Sequence, residues 1–123
     1  MRRVALVLPL SLVALALAGC GSDRQVQPVP GADPERGKRV IEDVGCGACH
    51  AIPGIRMADG RVGPPLDDFG GRRTVAGKLP NTPQALAHWL RFPQAVVPGN
   101  DMPNLRLSRR EARDIAAYLL QRT

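Results

Sequence analysis

Large side chains are scarce in this chain: only Phe69, Trp89, Phe92 and Tyr118 are aromatic among 123 residues, while glycine and proline together supply 25. A small domain with so few bulky residues buries a limited apolar area and needs something beyond its own side chains. A buried prosthetic group would supply the missing bulk. Also missing is a basic stripe interleaved with aromatics, which excludes the usual surface for single-stranded nucleic acid. The formal charge is +6, and a mild basic excess suggests an acidic partner surface or anionic headgroups rather than nucleic acid. No apolar run is a comfortable membrane span, because the longest, Val4 to Ala18, is short and broken by Pro9 and Ser11.

What that run does resemble is an export leader. Arg2 and Arg3 make a basic start, the alanine, valine and leucine run follows, and small residues come next. "LAGC" (Leu17 to Cys20) looks like a bacterial lipobox, which makes residues 1–19 a lipoprotein signal peptide and Cys20 the lipidated first residue of the mature chain. Cysteine arithmetic agrees, since the chain has three cysteines and an odd thiol in an exported protein needs an explanation. Residues 20–32, "CGSDRQVQPVPGA", lack apolar periodicity and carry two prolines, so they read as the lipidated cysteine and a flexible tether. Removing the leader leaves 15 basic against 11 acidic residues, a formal +4.

The remaining 91 residues, 33–123, are expected to form one domain. Asp33-Pro34-Glu35 has the order of N-cap, first-turn proline and first-turn acid, so a helix starts there and ends at Gly45 and Gly47. A second begins at Thr82-Pro83, carries Leu86, Trp89 and Leu90 on one side and stops at Pro93. The third opens on a capping box, Ser108 with Glu111, and continues with Ala112, Ile115, Ala116 and Leu119 at helical spacing. Neither intervening segment has a convincing alternating strand pattern. The first is some 30 residues long, which is reasonable in a compact domain when the loop wraps a large ligand.

"CGACH", residues 46–50, carries the chemistry. A redox dithiol shares the gap between Cys46 and Cys49 but belongs after a strand in a βαβ unit, a context absent here. A structural zinc site needs four ligands, and beyond these three the chain offers only His88, alone in a helix, and Cys20 across the tether. Covalent haem attachment explains the stretch best: two thiols add to the two haem vinyl groups and the adjacent His50 is delivered to the iron. For the second axial position Met102 in "VPGNDMP" offers a soft thioether. Met57 is seven residues from His50, too close to reach the opposite face easily, and His88 is a geometric alternative.

The order of these parts resembles a class I cytochrome c, the small monohaem electron carriers, over essentially all of Asp33 to Thr123. "CGACH" matches the family's attachment motif. "GPPL" resembles the segment whose proline carbonyl, here Pro64, accepts a hydrogen bond from the proximal histidine. "FGGRR" resembles the stretch whose arginine, here Arg72, approaches a haem propionate. "WLRFPQAVVPGNDM" matches the ligand loop at Pro93, Pro98, Gly99 and the terminal Met102, which the resemblance makes the second ligand. Trp89 falls where many relatives carry a tyrosine, so its indole either donates a hydrogen bond near the sulfur or packs on the haem edge. Asp101 stands where mitochondrial-type carriers have a lysine. The family also crosses its first and last helices at a glycine and an aromatic, positions that Gly37, Ile41, Ile115 and Tyr118 would fill.

The resemblance implies an all-α fold: three main helices and short helical turns wrapped around one covalent haem c. It implies a non-enzymatic electron-transfer protein on the periplasmic side of a bacterial membrane, the inner or outer membrane being left open. Its partners would be redox proteins in a respiratory chain, and the protein would be a monomer or a complex subunit. "GGRR" through "NDMP" also resembles cytochrome c domains appended to haem-copper oxidase subunits, which points to a terminal oxidase as electron acceptor. The alternatives are a haem-based sensor or ligand-binding module, and a fixed haem subunit of an oxidase or dehydrogenase.

Overall fold

The computed structural model describes residues 28–122; the expected leader, Cys20 and most of the expected tether lie outside the described residues. Helix α1 spans Pro34–Val44, and the Asp33 carboxylate starts it by accepting from the N–H groups of Glu35 and Arg36, each at 3.0 Å. Gly45 ends it in the left-handed conformation, φ 80°, with its N–H turned back to the carbonyls of Ile41 and Glu42. Helix α2 spans Pro83–Arg91, where Thr82 Oγ1 accepts from the Ala85 N–H at 3.2 Å. Helix α4 spans Arg109–Leu120 behind the expected capping box: the Glu111 N–H donates to Ser108 Oγ at 3.2 Å, and the Ser108 N–H donates to Glu111 Oε2 at 2.8 Å.

Two elements were not foreseen. Pro93 does more than end α2: after a break at Phe92 it opens a one-turn helix, α3, Pro93–Val96, as a proline without an N–H can at a first turn. A two-stranded antiparallel ribbon pairs β1 (Thr74–Val75) with β2 (Leu79–Pro80). Ala76 and Gly77 turn it with φ of 52° and 64°, both positive as a tight hairpin turn requires. Strands of two residues carry no alternating pattern, so the helical class stands with this ribbon as an addition.

Helix α1 crosses α4 at backbone contact. A Cβ at Gly37 would stand 2.0 Å from the Asp114 carbonyl oxygen and 2.8 Å from the Ile115 nitrogen, so only glycine permits the approach. Ile41 and Ile115 are both buried in the core. Tyr118 is buried too, and its hydroxyl donates to the Pro53 carbonyl at 3.3 Å, tying α4 to the segment after "CGACH".

The crossing has a polar lock as well. Asp114 is fully buried and accepts from the Asp33 N–H at 2.8 Å and from Arg36 through Nε at 2.5 Å and Nη2 at 2.8 Å. A bidentate guanidinium–carboxylate pair of this kind is both strong and geometrically specific. The Asp114 carboxylate raises the Arg36 guanidinium above its ordinary value.

The long segment between α1 and α2 is held against the end of α4. The Gly70 N–H donates to the Arg122 carbonyl at 2.7 Å, and a Cβ at Gly70 would stand 2.2 Å from the Leu120 carbonyl oxygen. The buried Asn81 amide donates to the carbonyls of Phe69 at 2.8 Å and Arg72 at 3.1 Å, fixing the short turn Phe69–Gly71. At the other end, Val29 packs against the core and the Pro30 carbonyl accepts from Arg113. The last residues drawn above as tether therefore lie against the domain.

Candidate functional site

The helices and the long segment enclose a mostly apolar cavity of about 470 Å³, within the range of roughly 300–1,000 Å³ typical of cofactor pockets. Cys46, Cys49, His50, Pro64, Arg72, Trp89 and Met102 all line it, as do the core residues Ile41, Leu86 and Ile115. The other two ligand candidates, Met57 and His88, do not line it. Met57 is 80% exposed, and His88 faces a separate groove.

The "CGACH" segment begins where Gly45 ends α1. Cys46 to Ala48 form a tight helical turn, and the Cys46 carbonyl accepts from the N–H groups of both Cys49, at 3.2 Å, and His50, at 3.0 Å. This winding brings both thiols and the imidazole to one cavity wall. Glycines let the neighbouring strand of chain lie against the turn: the Gly60 N–H donates to the Gly47 carbonyl at 3.1 Å, and a Cβ at Gly60 would stand 2.5 Å from the Cys49 carbonyl carbon. Both cysteines are free thiols. Burial pushes the Cys46 thiol up, because an apolar surrounding disfavours the thiolate.

His50 is held by its second nitrogen. Nδ1 lies 2.7 Å from the Pro64 carbonyl oxygen. A carbonyl only accepts, so Nδ1 is the donor, and in the neutral ring the lone pair is then on Nε2. Arg72 steadies the same segment, since its Nη2 donates to the carbonyls of Pro65, at 2.5 Å, and Asp67, at 3.1 Å, while its guanidinium lies 5.0 Å from the centre of the Phe69 ring.

Met102 is presented by a cross-tied loop. The Asn100 side-chain amide donates to the carbonyls of Pro93, at 3.0 Å, and Val97, at 2.6 Å, while its oxygen accepts from the Met102 N–H at 2.8 Å. Pro93 is fully buried, so Asn100 links the methionine to a fixed point. Gln94 adds an outer clasp: its amide donates to the carbonyls of Asn100, at 2.8 Å, and Met102, at 3.1 Å, and its oxygen accepts from the Gly99 N–H at 3.1 Å. Gly99 has φ 77°, a conformation that favours glycine. Trp89 stands on the same cavity wall and packs against the core.

Three contributors were not singled out from the sequence. Gly63 leaves room for the His50 ring, because a Cβ there would stand 2.3 Å from Cε1. Asn100 and Gln94 make the loop contacts above. "GPPL" and "PGNDM" contain Gly63 and Asn100, but nothing local in either string says which atoms they face. Gln94 is an ordinary exposed residue by pattern.

Two thiols, an imidazole and a thioether lining one mostly apolar cavity fit a covalently held haem: the thiols as attachment points, the nitrogen and sulfur as iron donors. Among the described residues no group of three or more His, Cys, Asp or Glu side chains could hold a metal ion. The fold and its cavity thus define a small helical protein that wraps a prosthetic group. Residues 34–123 match the family model "Cytochrome c", and the chain belongs to that family, whose members carry covalent haem c and transfer electrons.

The relatives extend this. The chain is similar to cytochrome c oxidase subunit 2 of Alkalihalophilus pseudofirmus, 36% identical over 85 residues, covering 68% of this chain and 24% of the relative. The same subunit of Bacillus subtilis is 32% identical over 89 residues, covering 69% and 25%. That of Bacillus sp. strain PS3 is 44% identical over 59 residues, covering 46% and 17%. The chain thus spans a quarter or less of the curated relatives it matches. Among the described residues no helix is long and apolar enough to cross a membrane.

Proposed function

We propose that this chain is a lipid-anchored single-electron carrier on the periplasmic side of a bacterial membrane. Its one haem c is bound as thioethers at Cys46 and Cys49 and ligated by His50 and Met102. The observation that carries the reading is the 2.7 Å contact of His50 Nδ1 with the Pro64 carbonyl. It orients the ring, fixes the tautomer and raises the basicity of the other nitrogen, as the outer partner of a metal-bound histidine does. Met102, on the wall of the same cavity, supplies the second donor.

Bound haem supplies reversible uptake of one electron, and a methionine ligand favours a higher potential. The chain's residues hold both axial donors in place, exclude water through the apolar wall, and offset negative charge at the cavity rim with Arg72. Trp89 fills the wall beside the methionine. The anchor reading is supported by "LAGC" at Leu17 to Cys20, and Cys20 carries the lipid.

The electron acceptor in this reading is a terminal oxidase, supported by the similarity to oxidase subunits. That similarity also favours a second reading, in which the chain is a fixed haem subunit of such a complex, and co-purification from membranes at moderate salt distinguishes the two. The carrier reading is tested by oxidised and reduced absorption spectra of the natively exported protein, with haem staining of a denaturing gel. Covalent stain and a sulfur-to-iron band in the oxidised protein are expected. A stained protein whose iron is five-coordinate and lacks that band has an open sixth position, and the carrier assignment gives way to the sensor.

A further inference from the structure

A groove of about 470 Å³ runs along the outer side of α2, lined by Pro30, Gln84, His88, Arg91, Arg109 and Arg113 among others, and it shares no lining residue with the haem cavity. Helix α2 divides between them, with Leu86, Trp89 and Leu90 on the cavity and Gln84, His88 and Arg91 on the groove. Its charge is one-sided. Arg109 and Arg110 occupy the first turn of α4 with Arg113 one turn on, all exposed, where the positive end of a helix disfavours cations. The nearby acids are engaged elsewhere, Glu111 with the Ser108 N–H at 2.8 Å and Asp114 with Arg36.

At the end of α2, Phe92 remains 41% exposed next to the groove residues His88 and Arg91. The His88 ring centre lies 5.4 Å from its own, and the Arg91 guanidinium lies 4.6 Å from its centre. An apolar ring between basic groups suits the headgroup layer of a bilayer. The chain's path points the same way: Pro30 forms part of the groove wall and its carbonyl accepts from Arg113. Cys20 stands ten residues before Pro30, a span that reaches at most about 35 Å by its length alone.

We propose that this groove docks on anionic phospholipid headgroups and so orients the anchored domain on its membrane. The inference rests on the lipid-anchor reading for its tether, while the groove's charge and the aromatic ring adjoining it are independent of that reading. Headgroups are favoured over an acidic redox protein because an electron partner must approach the haem cavity, and the groove contributes nothing to that wall.

The test uses the full-length holoprotein carrying Cys20→Ser, partitioned between buffer and vesicles of phosphatidylcholine alone or of equal parts phosphatidylcholine and phosphatidylglycerol. The readout is the ratio of the two partition coefficients. That ratio should exceed one by roughly ten- to hundredfold and fall most of the way to one in the triple variant Arg91→Gln, Arg109→Gln, Arg113→Gln, at about fivefold or less per arginine near an anionic surface. The triple variant Arg39→Gln, Arg56→Gln, Arg61→Gln, none of them lining the groove, is the charge-matched comparison and should change it little. A ratio near one, or equal losses in the two variants, overturns the proposal. Failure of the anchor reading is separately visible: the wild-type haem protein then appears in the soluble fraction of the producing cells, whatever the vesicles show.

Discussion

The imidazole of His50 lies against the α-carbon of Gly63, so close that a Cβ there would stand 2.3 Å from Cε1 and 2.7 Å from Nδ1. Gly63→Ala must therefore displace the ring or the adjoining Pro64 carbonyl and lengthen the 2.7 Å contact between them. The expected outcome is a severalfold lower yield of haem-loaded protein and a shifted reduction potential in what is recovered. Wild-type yield with an unchanged potential would show that the segment moves aside freely.

Met102→Ala removes the proposed sulfur ligand from the cavity wall. The potential should fall by on the order of 0.1 V or more, inside the roughly 0.8 V range that axial ligands span. Carbon monoxide should then bind the reduced protein. An already open sensor would scarcely change in either measurement.

Asn100→Asp keeps the side chain's size and turns its two donations, to the carbonyls of Pro93 and Val97, into an acceptor facing acceptors. Losing one or two net hydrogen bonds at about 1 kcal/mol each should loosen the loop. Added imidazole should then displace the native sixth ligand roughly five- to thirtyfold more readily, while the thermal unfolding of the rest of the domain shifts less than in a core variant. The Gln94→Ala variant should show the same change in smaller measure, because its bonds lie on the surface.

These contacts mark where the sequence stops being readable. Asp33, Thr82 and the pair Ser108 and Glu111 announce their helices because a cap acts within three or four residues. Cys46, Cys49 and His50 announce attachment for the same reason of locality, and the resemblance brought in Pro64, Arg72, Trp89 and Met102, all of which line the cavity. Asp114 was not legible: an acid inside an apolar helical stripe usually marks the solvent side, and its partner Arg36 lies 78 positions away. Gly63, Asn100 and Gln94 depend likewise on which atoms the folded chain brings to them. The ribbon at Thr74 to Pro80 was invisible because two residues per strand hold no period.

Asp114→Ala tests that hidden lock. It leaves the Asp33 N–H and the Arg36 guanidinium without their buried acceptor, in a crossing already at backbone contact through Gly37. A loss of about 2–4 kcal/mol is expected, which in a domain of this size lowers the melting temperature by roughly 10–25 °C. The oxidised spectrum should keep its sulfur-to-iron band below the transition, because none of these groups lines the cavity.

Glu111 gives the fold a pH dependence whose sign can be worked out. Its side-chain and backbone hydrogen bonds with Ser108 hold the carboxyl below its ordinary value of 4.5. Folding therefore binds the ionised form more favourably, and the stabilisation is fully present above that value and lost as pH falls through the lowered one. Glu111→Gln removes the titrating group but keeps its shape. At neutral pH the wild type should melt above the variant by a small margin, the box being exposed and screened by solvent. That margin should shrink toward zero as the pH is taken below the ordinary carboxyl range, where Glu111 is protonated and resembles glutamine. A margin that stays constant from neutral to acid pH would mean that the charge on Glu111 contributes nothing to the helix start. Because Asp33, also held low by the Arg36 backbone N–H, is present in both proteins, its own acid titration cancels in the comparison.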